Sequence, residues 1–135
     1  MLNELKLKFL VKTSGSTGVH ILLPLDDSFT YAEVQKTAQR PESCTLERSV
    51  KNRQGKVYLD YLQNGRGRTM AGIYSVRPTR LGHISTPLLW EEVVQGINPD
   101  DFHVRSFRAR LKKVGDLSTM MSHENDFSSI LHYFT

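Results

Sequence analysis

The 135-residue sequence predicts an α+β fold, a mixed or antiparallel sheet with packed helices, in a single domain over residues 1–135. Three observations carry that expectation. Short apolar runs with strand-like period alternate with segments of helical period, and Gly-rich turn chemistry separates the strand-like runs. The 39% hydrophobic content suits one buried core.

Leu5, Leu7, Phe9 and Val11 alternate with Lys6, Lys8 and Leu10, a period of two that predicts a first strand with one buried face. Ser14-Gly15-Ser16-Thr17-Gly18 is turn chemistry, and Val19 to Leu25 predicts a second strand stopped near Pro24. Thr30 and Glu33 have the spacing of a capping box, Phe29 and Val34 occupy the staple positions, and Tyr31, Val34 and Ala38 share a helical face. A helix starts there and ends before Pro41. Thr45 to Val50 reads as a short helix or an extended link. Val57 to Leu62, a turn at Asn64-Gly65-Arg66-Gly67, and Met70 to Val76 predict an antiparallel hairpin ended by Pro78. Pro87 suits the first position of a second helix with Leu89, Trp90, Val93 and Val94 on its apolar face, running to Gly96. Phe102 and Val104 suggest a short strand. Phe107, Leu111 and Val114 fall at i, i+4 and i+7 before Gly115, the pattern of a helix with a glycine stop. Ile130 to Phe134 reads as a last helical turn.

No apolar run approaches the roughly 20 residues that cross a bilayer, and Glu4, Lys6 and Lys8 stand where a signal peptide needs a continuous apolar stretch. The expectation is a cytoplasmic protein with no membrane partner. The single cysteine, Cys44, excludes a disulfide within the chain and a cysteine-built zinc site. A formal charge of +4 suits a phosphate-bearing partner without requiring one.

Period-two alternation puts Asp60 with Tyr58 and Leu62 on one face of the third predicted strand. A carboxylate there either faces water from an edge strand, as most aspartates do, or is compensated by a cation or metal. The segment from Lys12 to His20 joins two strands through small residues whose backbone N–H groups suit close approach of a phosphate. It is no P-loop, since no Gly-Lys-Ser/Thr follows and the next element is a strand. His20 shares a strand face with Leu22, where histidines are usually structural. Lys51, Arg53, Lys56, Arg66, Arg68, Arg77 and Arg80 crowd around the predicted hairpin. Each singly is an ordinary solvated cation. Together with a small-residue loop and a strand carboxylate they are the parts that a nucleoside triphosphate and its metal require.

Four segments, in order and spacing, resemble the polymerase domain of bacterial ATP-dependent DNA ligase D: Lys12-Thr13-Ser14-Gly15-Ser16-Thr17-Gly18-Val19-His20, Val57-Tyr58-Leu59-Asp60-Tyr61-Leu62-Gln63-Asn64, Tyr74-Ser75-Val76-Arg77 and Ser85-Thr86-Pro87-Leu88-Leu89-Trp90-Glu91-Glu92. The resemblance runs from about Lys12 to Leu117 and implies the C-terminal part of that domain, a primase-type, RRM-like catalytic core of the archaeo-eukaryotic class truncated at its N-terminus. It implies a nucleotidyltransferase that adds ribo- or deoxyribonucleotides to DNA ends in bacterial non-homologous end joining. Its partners would be nucleoside triphosphates and DNA ends, and its cofactor Mn2+ or Mg2+ in a two-metal site. By the same resemblance Asp60 matches the family's third metal-binding aspartate and is the implied catalytic residue. Ser14 and His20 match contacts to the incoming triphosphate, and Arg53, Gln63 and Arg77 match nucleotide- and phosphate-binding positions. Thr17 stands where some relatives have lysine.

The family's other two metal ligands form an Asp-x-Asp pair upstream of the Lys12 segment, and this sequence contains no Asp-x-Asp. Asp26-Asp27 and Asp100-Asp101 cannot replace it by pattern, because adjacent strand residues point to opposite faces. The resemblance therefore implies a partial domain, weak or inactive alone, with the upstream half of the domain as a further partner. The alternative is a non-catalytic module that binds nucleic acid or nucleotide through its arginine-rich segment, and the plainest is a structural piece without ligand affinity.

Overall fold

The computed structural model describes residues 7–25, 29–37, 44–122 and 124–126. In chain order its elements are strands β1 (Leu10–Thr13) and β2 (Val19–Leu22), helix α1 (Tyr31–Thr37), strands β3 (Cys44–Thr45), β4 (Val57–Tyr58) and β5 (Pro87–Leu88), and helices α2 (Trp90–Gln95) and α3 (Phe107–Val114). Short 3-10 turns lie at Val50–Asn52, Tyr61–Gln63, Pro99–Asp101 and Leu117–Ser122. The α+β expectation holds. The described residues divide into two compact units, one drawn from Met1–Pro24 and Ala71–Asn125, the other from Leu25–Met70 and Asp126–Thr135.

In the first unit the small-residue turn closes β1 on β2, pairing Leu10 with Leu22, Val11 with Ile21, Lys12 with His20 and Thr13 with Val19. β5 pairs antiparallel with the other edge of β1, which makes β1 the central strand of three. That position explains a departure from the expected one-sided burial. All four β1 residues are buried, Lys12 at 0% exposure among them. Val11 and Leu88 pack with Phe102, and Phe9, Val93 and Ile97 close over them as the core. Phe9 meets Trp90 edge to face at 5.5 Å, which seats the start of α2 on the sheet.

Pro87 does not open the second helix. It lies in edge strand β5, a place where a residue without an N–H is tolerated. α2 begins at Trp90, after Glu92 accepts the Leu89 N–H at 2.8 Å, and it stops at Gly96, whose φ of +98° is open chiefly to glycine. α3 and its Gly115 stop match the sequence pattern. Phe102 and Val104 form no strand: a 3-10 turn precedes them, and the local pairing is a single bridge between His83 and His103.

In the second unit the capping box stands as expected. Thr30 N–H donates to Glu33 Oε2 at 2.8 Å and Glu33 N–H donates to Thr30 Oγ1 at 3.3 Å. The hairpin over residues 57–76 is absent. β4 stops at Tyr58 and pairs in parallel with β3, Cys44 with Val57 and Thr45 with Tyr58. The 3-10 turn at Tyr61–Gln63 takes the rest of the expected strand; in the first unit, Tyr74, at φ +63°, interrupts the expected returning strand. Thr45 to Val50 is accordingly split between β3 and the start of the Val50–Asn52 turn. Leu5, Lys6, Ala38, Asp26-Asp27 and Ile130 to Phe134 lie outside the described residues.

Candidate functional site

In the first unit, antiparallel pairing places Lys12 and His20 directly opposite one another on the same sheet face. Lys12 Nζ lies 2.9 Å from His20 Nδ1, 2.8 Å from the Ala71 carbonyl and 2.6 Å from Ser85 Oγ. Lys12 donates to the Ala71 carbonyl and Ser85 Oγ, and His20 Nδ1 is the third partner of a nitrogen that water does not reach. Burial, helped by the positive Arg77, holds this lysine down to about 8.

Around it runs a buried polar ladder. Thr13 N–H donates to the Thr86 carbonyl, Thr86 N–H to Thr13 Oγ1, and Thr13 Oγ1 to the Ile84 carbonyl, each at 2.9 Å. Ser85 Oγ donates to the Thr13 carbonyl at 2.7 Å. Bonds of this kind contribute on the order of 1 kcal/mol each, and an orphaned partner costs more. The ladder fixes the strand from which Lys12 projects.

The turn itself folds inward. Ser14 Oγ accepts the N–H of Ser16 at 3.1 Å and of Gly18 at 3.2 Å, while Ser14 N–H donates to the Gly18 carbonyl at 2.8 Å. Two of the amides expected to face a phosphate are thus turned onto the Ser14 hydroxyl. Gly15, at φ +72°, lies under Arg77: a Cβ there would come within 2.3 Å of Arg77 Cγ. Only glycine allows the arginine to lie across the turn. Arg77 thus lies against the turn at Gly15, next to Ser14, and His20 faces Lys12 on the strand that leaves the turn.

The remaining expected site residues fall in the second unit. Asp60 is exposed, one residue beyond Leu59 and outside any strand, at the head of the 3-10 turn, so the argument that strand burial desolvates it does not stand. Gln63 is exposed at the end of that turn. Arg53 donates from Nε to the Glu47 carbonyl at 3.1 Å and from Nη2 to the Arg48 carbonyl at 2.8 Å, with its guanidinium 4.5 Å from the Tyr58 ring centre. Its fork holds the segment before β4 together. Among the described residues no group of three or more His, Cys, Asp or Glu side chains comes together to hold a metal ion. Asp100, of the second acidic pair, lies 3.0 Å from His83 Nε2.

Sequence reasoning missed Lys12, read as the edge of a loop. The register held the signal, since closing a hairpin through residues 14–18 pairs positions 12 and 20. It also missed Arg110, whose Nη1 and Nη2 reach the two Glu92 oxygens at 2.5 and 2.8 Å and whose Nη2 also donates to the Pro87 carbonyl at 2.8 Å.

The model of the LigD primase-polymerase domain matches residues 1–118 of this chain. The bifunctional non-homologous end joining protein LigD of Bacillus subtilis is 39% identical over 114 residues, 77% of this chain and 19% of that protein. The multifunctional LigD of Pseudomonas aeruginosa is 35% identical over 125 residues, 84% of this chain and 15% of that protein. The solved polymerase domain from Mycobacterium tuberculosis ligase D, in complex with DNA, superposes with a TM-score of 0.69 at 27% identity. That match covers 92% of this chain and 46% of the solved one, so this chain spans under half of it and under a fifth of either curated relative.

Proposed function

Because the chain belongs to the LigD primase-polymerase domain family, we propose that it contributes nucleotide-binding machinery to a primase-type nucleotidyltransferase acting on DNA ends in bacterial non-homologous end joining. What supports this reading is a tight turn that carries Ser14, is crossed by Arg77 at Gly15 and leads into the strand of His20. A triphosphate carries several negative charges on closely spaced oxygens. It is bound best where cationic forks and oriented N–H donors converge, and Arg77 supplies the fork, His20 a ring donor and Ser14 a hydroxyl. Lys12, opposite His20 in the sheet, adds charge.

Arg53 and Gln63 are proposed as further nucleotide contacts on family resemblance. Arg53 would have to release backbone carbonyls to make one, so its weight in binding is expected to be small. Asp60 is proposed as one carboxylate ligand of a divalent cation. The described residues do not complete a two-ion site, and no catalytic step is derived through it. When bound, Mn2+ or Mg2+ would neutralise triphosphate charge. Template-directed extension by this chain alone is expected to be weak or nil.

Isothermal titration of the chain with GTP and Mn2+ tests the reading. It expects saturable heat, reduced by Asp60→Ala. Absence of heat at millimolar nucleotide would remove it. A second reading, a DNA-binding module without nucleotide affinity, draws on exposed Arg108, Lys112 and Lys113 on α3. That reading expects salt-dependent DNA binding indifferent to Asp60→Ala and no response to GTP.

A further inference from the structure

We infer that Lys12 is a positioning residue that locks the His20 imidazole with its hydrogen on Nε2, making that nitrogen an obligate donor toward an anionic ligand. The link to a ligand rests on the proposed triphosphate reading of His20. The lock itself follows from counting hydrogens.

Ser85 Oγ gives its one hydrogen to the Thr13 carbonyl at 2.7 Å, so toward Lys12 it can only accept. The Ala71 carbonyl can only accept as well. Two Nζ hydrogens are therefore committed, and the third position on Nζ faces His20 Nδ1 at 2.9 Å. If Nζ carries the proton, Nδ1 accepts it and the neutral ring keeps its hydrogen on Nε2. If the proton crosses to Nδ1, the ring is an imidazolium and Nε2 again bears hydrogen. Both arrangements of the singly charged pair leave Nε2 a donor. The opposite tautomer requires an uncharged lysine.

Lys12 is held down to about 8 by burial first and by Arg77 second, so near neutrality it still keeps its proton and the first arrangement applies. A histidine left to solvent populates both tautomers and presents an acceptor part of the time, which repels a phosphate oxygen. The lysine removes that acceptor state. Its burial makes it a constraint on the ring rather than a direct contact for a ligand.

The test uses the uniformly 15N-labelled chain and two-bond proton–nitrogen correlation spectra of the His20 ring near pH 7. The expected result is a protonated-type shift at Nε2 in the wild-type protein. An unprotonated Nε2 beside a protonated Nδ1 overturns the inference, whether or not any variant folds. Lys12→Met is expected to mix the tautomers and to weaken binding of inorganic tripolyphosphate about 2-fold, the reciprocal of the fraction of rings that still donate from Nε2. In the His20→Ala background, adding Lys12→Met is expected to cause no further loss. Equal tripolyphosphate affinity in folded Lys12→Met and wild type also overturns the positioning role. The two claims separate cleanly. Tripolyphosphate binding with the opposite tautomer refutes the lock and leaves the nucleotide reading standing, whereas a protonated Nε2 with no tripolyphosphate binding supports the lock and refutes the nucleotide reading.

Discussion

A lysine with no exposed surface is costly to keep charged, and Lys12 shows how the cost is limited: two acceptors and His20 Nδ1 surround its nitrogen. The residual penalty has a definite pH signature. Its folded-state value, near 8, lies below the 10.5 of the free side chain, so from about pH 8 to about pH 10 the unfolded chain binds more protons than the folded one. Unfolding free energy should therefore rise across that window by about 3 kcal/mol and be flat with respect to this group below it. Denaturant unfolding of wild type and Lys12→Met at pH 7 and pH 10 checks this. The rise is expected in wild type after subtracting the variant, and equal responses would show that Lys12 is not desolvated. At this scale the local setting of a side chain was the part least legible in the sequence. Lys12 was placed in a loop and Asp60 in a strand, whereas Lys12 lies in β1 and Asp60 stands at the head of a 3-10 turn. Both errors are strand boundaries set by pairing partners: β1 runs on to Thr13 because β2 pairs with it that far, and β4 stops at Tyr58, where its pairing with β3 ends.

Among the elements, α2 and α3 are tied by one side chain. Arg110 binds both Glu92 oxygens and the Pro87 carbonyl, stacks 5.1 Å from the Phe102 ring centre, and so joins α3 to α2, to β5 and to the core. Glu92 in turn caps α2 through the Leu89 N–H. The hydrogen bonds from Arg110 hold the Glu92 carboxyl below its ordinary range, ahead of the opposing effect of burial. Its stabilisation is present above the unfolded value near 4.5 and is lost as pH falls through the lower folded value. Arg110→Met should cost about 2 kcal/mol at pH 7 and distinctly less at pH 3, as urea unfolding would measure. A pH-independent loss would assign the effect to packing instead. Helices were the legible elements because their signals are local: Thr30 with Glu33 starts α1, and Gly115 ends α3. The 57–76 hairpin was not, because β4 found its partner in β3, which precedes it, and that choice is made by pairing at a distance rather than by any residue in the turn.

For the molecule as a whole, the formal charge of +4 gives a prior for phosphate, and the chain belongs to the LigD primase-polymerase domain family. If DNA is among the partners, α3 is the element whose exposed cations would carry backbone contacts. Replacing Lys112 and Lys113 with glutamate should lower DNA affinity for every sequence alike and make the dependence of log affinity on log salt shallower by about 2. An unchanged slope would clear α3 of that role. The family was readable from four spaced segments and the α+β class from intermixed strand and helix periods, whereas the partition of the described residues into two compact units was not, since no linker composition marks Leu25 or Met70. The claim on which the account turns is that the turn at Ser14–Gly18, the ring of His20 and the fork of Arg77 grip a triphosphate. Competition against a fluorescent nucleoside triphosphate, with His20→Ala and Arg77→Ala each compared with wild type at fixed salt, tests it most directly. The account expects each substitution to weaken binding about 10-fold, near 1.4 kcal/mol; wild-type affinity in both variants would contradict it.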